Sequence, residues 1–312
     1  MAKGIFVITG PTATGKTALG VQLAKALDGE VISADAMQLY RGMVIGTAAP
    51  TPEEMEGIPH HLVGTVDPRE SYSVGRYVLE ASACADDILA RGKLPILVGG
   101  TNLYIEALLR GTEFAAGDPA LRERLEAQYD ALGGEEMLRR LHACDPERAG
   151  KLHPNDRKRI VRALEIFELT GRTITSFDEA SRASPPRYAS CTLALNFQDR
   201  ALLYERINMR VDRMFARGLV REVRELLDGG VTDRDTAMQA IGYKEVASAL
   251  RGECSMEEAA EQIRQASRRY AKRQLSWLRG KSEVRWFLWK KETNYQEACL
   301  FSTGILENSG II

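Results

Sequence analysis

No stretch of about 18 apolar residues occurs in the 312-residue chain, so no helix is expected to cross a membrane. The opening MAKGIFVITG passes from Met straight into a strand-like segment without the cleavage pattern of a secretory leader, which makes the cytoplasm the expected compartment. Cysteine is scarce and scattered. Cys84, Cys144, Cys191, Cys254 and Cys299 stand singly, with no Cys-x-x-Cys pair and no histidine at ligand spacing, so reduced thiols are expected and a metal–thiolate site is not. An excess of either charge is also missing. The 42 Lys and Arg against 43 Asp and Glu leave a net charge of −1, which as an average speaks against a nucleic-acid partner but leaves room for local patches. Internal repeats and low-complexity segments are absent. What is present is 44% hydrophobic and 27% charged residues, enough for a substantial core near the size at which one domain gives way to two.

The segment GIFVIT (4–9) is a short apolar, β-rich run, and TALGVQLAKAL carries helical periodicity until Asp28-Gly29 ends it. EVISAD (30–35), LPILVGG (94–100) and CTLALNF (191–197) are further buried-strand candidates, and VRWFLWK (284–290) is a fifth. Strands alternating with helices predict an α/β fold, a P-loop NTPase-like parallel sheet with flanking helices. Residues 111–190 read as helices only. Asp118-Pro119 and Asp145-Pro146 each place a cap before a first-turn proline, and Gly133 and Gly171 close helical runs. This stretch is therefore expected to be a helical insertion domain, with SRASPPRYAS (181–190) as the return to a core formed by 1–110 and 191–291. Amphipathic helices are expected over 199–228, 236–250 and 256–279, the last opened by Ser255 and Glu258 as a capping box. Residues 292–312 show no clear pattern and receive no role.

The strongest chemical signal is GPTATGKT, which fits G-x-x-x-x-G-K-[ST] at Gly10, Gly15, Lys16 and Thr17, between a strand and a helix. Backbone N–H groups along Gly10, Thr12, Ala13, Thr14 and Gly15, with the helix N-terminus, would cradle a phosphate. Lys16 adds a point charge, and the Thr17 hydroxyl can hold Mg²⁺. Many phosphate-loop NTPases end a buried strand in an acid that helps hold Mg²⁺, yet LPILVGG ends in Gly99-Gly100-Thr101. The acid instead closes EVISAD, where Asp35 stands at the carboxyl edge at which open α/β sheets build their sites. Spacing alone leaves Asp35 divided between a functional carboxylate and a turn cap. Thr101 is likewise divided between a site residue and a helix cap.

Basic residues gather in three places. From Gln262 to Lys281 there are Arg264, Arg268, Arg269, Lys272, Arg273, Arg279 and Lys281 and no acid, with Arg264, Arg268 and Lys272 on one helical face. A second cluster is Arg157, Lys158, Arg159 and Arg162. A third is Arg210, Arg213, Arg217 and Arg221, partly offset by Glu205, Asp212 and Glu222. A polyanion partner and ordinary solvated faces are the two readings. His60-His61 and the tryptophans show no spacing that favours function over packing.

Taken together, GPTATGKT, ISADAMQLYRGMVIGTAAPT, PHHLVGTVDP, LVGGTNLY, HPNDRKRIVRALEI, AIGYKE and AKRQLSWLR resemble, in order and over about residues 4–287, the tRNA dimethylallyltransferase (tRNA isopentenylpyrophosphate transferase) family of bacterial type. The resemblance implies that the phosphate loop holds the diphosphate of dimethylallyl diphosphate, which has no γ-phosphoryl group to transfer. It makes Asp35 the acceptor of a proton from the exocyclic amine of an adenosine beside the anticodon and places Thr101 near the reacting atoms. Ala36, Met37 and Gln38 would line the base pocket. Arg122, the segment Lys158, Arg159, Ile160, Val161 and Arg162, and the segment Gln239, Ala240, Ile241, Gly242, Tyr243 and Lys244 match tRNA-contacting positions. Arg210 and Arg217 match positions facing the diphosphate, and Arg268 and Lys272 belong to the basic stripe expected on the RNA. One departure is that SADA replaces the commoner SVDS or SADS, removing a hydroxyl after the Asp.

The implied activity is transfer of a dimethylallyl group to N6 of the adenosine immediately 3′ of the anticodon, with release of diphosphate. The cofactor is Mg²⁺, the partners are the tRNA anticodon stem-loop and the prenyl diphosphate, and a monomer is expected. The main alternative is a small-molecule or nucleoside kinase, which needs ATP and an adenine contact. A non-catalytic, nucleotide-driven RNA-binding switch is the third.

Overall fold

The apolar runs at 5–9, 29–34 and 94–99 become strands buried on both faces. The computed structural model describes residues 4–312 and has six parallel strands: β1 (Ile5–Thr9), β2 (Gly29–Ala34), β3 (His60–His61), β4 (Leu94–Gly99), β5 (Ser190–Phe197) and β6 (Arg285–Trp289). Their order in the sheet is β3-β2-β4-β1-β5-β6. The alternation of side chains along β1 divides the core. Ile5 and Val7 join Ile32, Ala34 and Leu97 on one face, while Phe6 and Ile8 join Val31, Ile96, Leu193 and Leu195 on the other. Register sets Phe6 opposite Ile96 and Cys191. The two-residue strand at His60–His61 was not expected, and it is too short to carry a pattern of its own. No helix of the described residues is long and apolar enough to cross a membrane.

The chain forms two compact units, one of residues up to Leu109 with Tyr188–Ile312 and the other Arg110–Arg187. The second unit packs helices Pro119–Leu132, Gly134–Cys144, Arg157–Thr170 and Ile174–Ala183, with a short helix Pro146–Ala149, around Leu125, Met137, Leu141, Ile160, Val161 and Leu164. Its helix ends follow the local chemistry. The Asp118 carboxylate accepts from the N–H groups of Ala120 and Leu121, Asp145 accepts from Arg148, and Gly171 takes the left-handed C-cap.

In the first unit, helix Arg200–Ala216 is followed by Leu219–Asp228, and Met256–Arg279 forms one long helix opened by the Ser255–Glu258 capping box. The tail corrects the sequence reading. Tyr295–Ser309 is a helix whose Ala298, Ser302 and Leu306 are buried at a spacing of four.

Candidate active site

β2, β4 and β1 are neighbours, so the loops leaving their carboxyl ends converge at one edge of the sheet. They line a cavity of about 490 Å³ whose wall includes Thr12, Ala13, Gly15, Lys16 and Thr17 of the phosphate loop, Asp35 and Gln38 after β2, and Gly99 and Gly100 closing β4. Gly10 turns the chain out of β1 at φ +131°, where a Cβ would lie 2.3 Å from the carbonyl oxygen of Leu195. The buried Thr14 faces inward, donating its hydroxyl to the Pro11 carbonyl at 2.9 Å, so its side chain shapes the loop from behind.

Asp35 is a turn cap and also lines the cavity. Its Oδ1 accepts from the N–H of Met37 at 2.9 Å and of Gln38 at 3.4 Å, a turn cap, while the carboxylate still faces the cavity. Thr101 stands behind it, its Oγ1 accepting from the N–H of Ala36 at 3.0 Å and its own N–H donating to the carbonyl of Ala34 at 3.0 Å. Gln38 is fixed by Ser33 and by the carbonyls of Thr47 and Ala48.

Helix Arg200–Ala216 and its C-cap supply the opposite charge. Arg206, Arg210, Arg213 and Arg217 recur every three or four residues and all line the cavity. Arg206 was missed from the sequence, although its position one turn before Arg210 was a usable signal. Arg210 donates to the Thr47 carbonyl at 3.2 Å. Arg221, grouped with these by sequence, lies on the next helix and pairs with Glu225 at 3.6 Å. Lys16 donates to the carbonyls of Gly10 at 3.1 Å and Pro11 at 2.8 Å. Burial, aided by Arg210 and opposed by Asp35, lowers its pKa to about 7, and burial also lowers that of Arg210. An anion entering here meets partly buried basic groups whose charged forms it would favour. Ile45, Ala48, Ala49 and Met214 give the same cavity an apolar side.

Several supports had no local signal. The carboxylate of Glu222, 8% exposed, accepts from the N–H groups of Val44, Ile45 and Gly46 and from the Tyr243 hydroxyl at 2.6 Å. It braces a cavity loop and does not neutralise the arginine cluster as the sequence suggested. Trp289 donates its indole N–H to the Thr14 carbonyl at 2.9 Å, and the ring of Tyr295, from the tail helix, meets it edge-on at 5.4 Å.

The expected RNA-facing positions divide. Lys158 and Arg159 are exposed, but Ile160 and Val161 are 0% and 2% exposed within the core of the second unit, so their side chains cannot meet a ligand. Arg122 and Arg162 both pair with the fully buried Glu165, at 3.0 and 2.8 Å, because an unpaired carboxylate there would be costly. Gln239 and Lys244 are exposed and Ile241 is half-buried, whereas Ala240, Gly242 and Tyr243 are buried. In the basic stripe, Arg264 reaches Asp212 and Glu261, and Arg268 reaches Asn208 and Glu261. Arg269, Lys272, Arg273 and Arg279 are the exposed cations.

Among the described residues no three His, Cys, Asp or Glu side chains cluster as a metal cage. A hard cation that keeps several waters and binds mainly through substrate phosphates needs none, and the Thr17 hydroxyl and Asp35 carboxylate are oxygen donors on the same cavity, so the donor set fits Mg²⁺.

A family profile described as IPP transferase matches residues 38–281, and one described as isopentenyl transferase matches residues 3–63. The chain is 46% identical over 300 residues, 95% of each chain, to a tRNA dimethylallyltransferase of Thermoanaerobacter sp. (strain X514). Among solved structures it is similar to the full-length tRNA isopentenylpyrophosphate transferase of Bacillus halodurans, at 42% identity and a TM-score of 0.73, covering 99% of this chain and 98% of that one. It is also similar to a eukaryotic dimethylallyltransferase captured acting on tRNA, at 30% identity and a TM-score of 0.81, covering 98% of this chain and 80% of that one.

Proposed function

The chain belongs to the IPP transferase family, and from that premise we propose that it acts as a tRNA dimethylallyltransferase through the cavity at the carboxyl edge of its sheet. It transfers a dimethylallyl group from dimethylallyl diphosphate to N6 of the adenosine immediately 3′ of the anticodon and releases diphosphate. The observation that carries this reading is one cavity holding a phosphate loop, a row of arginines and an apolar side, with Asp35 at the carboxyl end of β2, Glu54 and Glu56 also on the wall, and no carboxylate at the tip of β4.

The chemistry follows from the charges. An exocyclic adenine amine is a weak nucleophile and an allylic carbon tolerates positive charge, so the barrier falls chiefly by stabilising the leaving diphosphate. Lys16, Arg210 and the loop N–H groups other than that of Thr12, which donates to Gln274 instead of facing the ligand, do this from fixed positions, with Arg206, Arg213 and Arg217 around them. Thr17 would hold Mg²⁺, which would supply Lewis-acid charge stabilisation to the leaving diphosphate. The nitrogen attacks the allylic carbon as the carbon–oxygen bond to diphosphate breaks, and Asp35 takes the amine proton. The target base enters unstacked, which in a single-stranded loop costs about a few kcal/mol.

The direct test incubates the protein with unmodified tRNA, Mg²⁺ and labelled dimethylallyl diphosphate, and in parallel with ATP. Label is expected in tRNA. Dimethylallyl diphosphate is expected to raise the melting temperature more than ATP, with about 2.7 kcal/mol of added stability at 100 times its Kd. Stronger protection by ATP with phosphoryl transfer to an acceptor would return the kinase reading.

The exposed cations make a separate prediction. Lys272→Glu combined with Arg273→Glu is expected to weaken tRNA binding and to flatten its salt dependence by roughly 0.7 to 0.9 in log–log slope for each phosphate that is no longer neutralised. Prenyl diphosphate affinity should not change. Arg268, occupied by Asn208 and Glu261, is the poorer choice for this test. An unaltered salt slope places this helix off the RNA.

A further inference from the structure

Gln274 lies in helix Met256–Arg279 and is 4% exposed, yet both ends of its amide are used. Its Oε1 accepts from the N–H of Thr12 in the phosphate loop at 3.1 Å, and its Nε2 donates to the carbonyl of Gly100 at 2.9 Å. Gly100 has to be glycine for this contact, since a Cβ there would stand 2.2 Å from Nε2. The Tyr270 hydroxyl, one turn earlier on the helix, approaches the same carbonyl at 3.4 Å. The next residue is Thr101, which fixes Ala34 and Ala36 on either side of Asp35. A continuous hydrogen-bonded path therefore runs from the loop expected to anchor the diphosphate to the loop that carries the carboxylate.

The sheet does not supply this link. Pairing of β1 with β4 ends at Ile8 opposite Val98, before either loop begins. Beyond that point the amide of Gln274 spans the gap. We propose that Gln274 is a positioning residue that sets the separation between the diphosphate of the prenyl donor and the carboxylate of Asp35. The proposal rests on the transfer reading above. In-line attack requires reacting atoms held about 3 to 3.5 Å apart, and a misplacement of about 1 Å can cost on the order of 10²-fold in rate.

The role demands one acceptor and one donor on the same planar group, which an amide provides and a carboxylate does not. A neutral carboxylic acid does provide both. Gln274→Met and Gln274→Glu are compared with wild type in single-turnover transfer. Binding of tRNA and of unreactive dimethylallyl thiolodiphosphate is measured separately. Wild-type transfer is the control: no product there removes the transfer reading itself, and the variants are judged only against an active wild type.

Gln274→Met is expected to slow transfer by roughly 30- to 100-fold while each substrate's Kd stays within about threefold. For Gln274→Glu, the ratio of its rate to wild type is expected to rise towards one as the pH is lowered from about 8 to about 6, because burial favours the neutral acid. Lys16, Asp35 and Arg210 on the cavity wall are present in both proteins and enter both rates, and the Tyr270 phenol, pushed up to about 12, stays neutral throughout. A merely structural role predicts a ratio independent of pH. Wild-type speed in Gln274→Met, a pH-independent deficit in Gln274→Glu, or a slower rate matched by weaker thiolodiphosphate binding would each overturn the proposal. Should Gln274→Met fail to fold, the pH dependence of Gln274→Glu decides alone.

Discussion

Asp35→Asn is expected to bind both substrates and to turn over slowly, with the single-turnover rate reduced by roughly 10² to 10⁴, the usual contribution of a positioned general base. The geometry makes Asn the informative replacement. Oδ1 of Asp35 caps the turn through Met37 and Gln38, and an amide oxygen can accept the same two bonds, so the loop should keep its shape while the proton acceptor is lost. Asp35→Ala removes both functions and cannot separate them. Affinity for tRNA should change by no more than about tenfold, the value of roughly one hydrogen bond. Near wild-type single-turnover rates in folded Asp35→Asn would leave Asp35 as a turn cap and require another base. Single-turnover conditions matter because product release can otherwise hide a slower chemical step.

How far the site could be read from sequence depended on the range of the interactions involved. The phosphate loop, its strand and its helix are specified within about twenty consecutive residues, and the ends of the insertion helices by Asp-Pro and Gly signals of local origin. Asp35 and Thr101 could be placed at strand ends, but their mutual contact through Ala36 spans 65 residues and left no trace in the spacing. The same holds for Glu222 with the 44–46 loop and for Trp289 with Thr14, separated by 178 and 275 residues at the longest.

The basic stripe shows a different failure. Counting acids between Gln262 and Lys281 missed Glu261, one residue outside the window, and Asp212 on another helix, and these occupy Arg264 and Arg268. Matching whole segments to RNA contact had the same weakness, because a helix such as Arg157–Thr170 necessarily turns Ile160 and Val161 inward when Lys158 and Arg159 face out. The tail helix was missed because Gly304 and several Ser and Thr residues blur a stripe that is only three residues deep, Ala298, Ser302 and Leu306.

Lys16→Met is the second substitution with a large expected effect, and it carries a pH signature of its own. Removing a preorganised cation from the leaving diphosphate should slow single-turnover transfer by roughly 10² to 10³, by analogy with the loss of one charge-stabilising donor in other sites. In the protein without ligand the lysine pKa is lowered to about 7, chiefly by burial and then by Arg210, against the opposing pull of Asp35. A bound diphosphate favours the ammonium form and raises that pKa. Below pH 7 the lysine is already charged and binding exchanges no proton with it. Above pH 7 the free enzyme has lost the proton and binding must take one up, so the association constant for dimethylallyl diphosphate should fall with rising pH, by at most about tenfold per unit. The neutral amine can still donate to the Gly10 and Pro11 carbonyls, so the empty loop need not collapse when the charge is lost. Titration calorimetry in buffers of different ionisation enthalpy should show proton uptake near zero at about pH 6 and approaching one at about pH 8 to 9. Lys16→Met should show neither the uptake nor the decline above pH 7. A wild-type affinity that stays level from pH 7 to 9 would mean that Lys16 keeps its charge in the empty site.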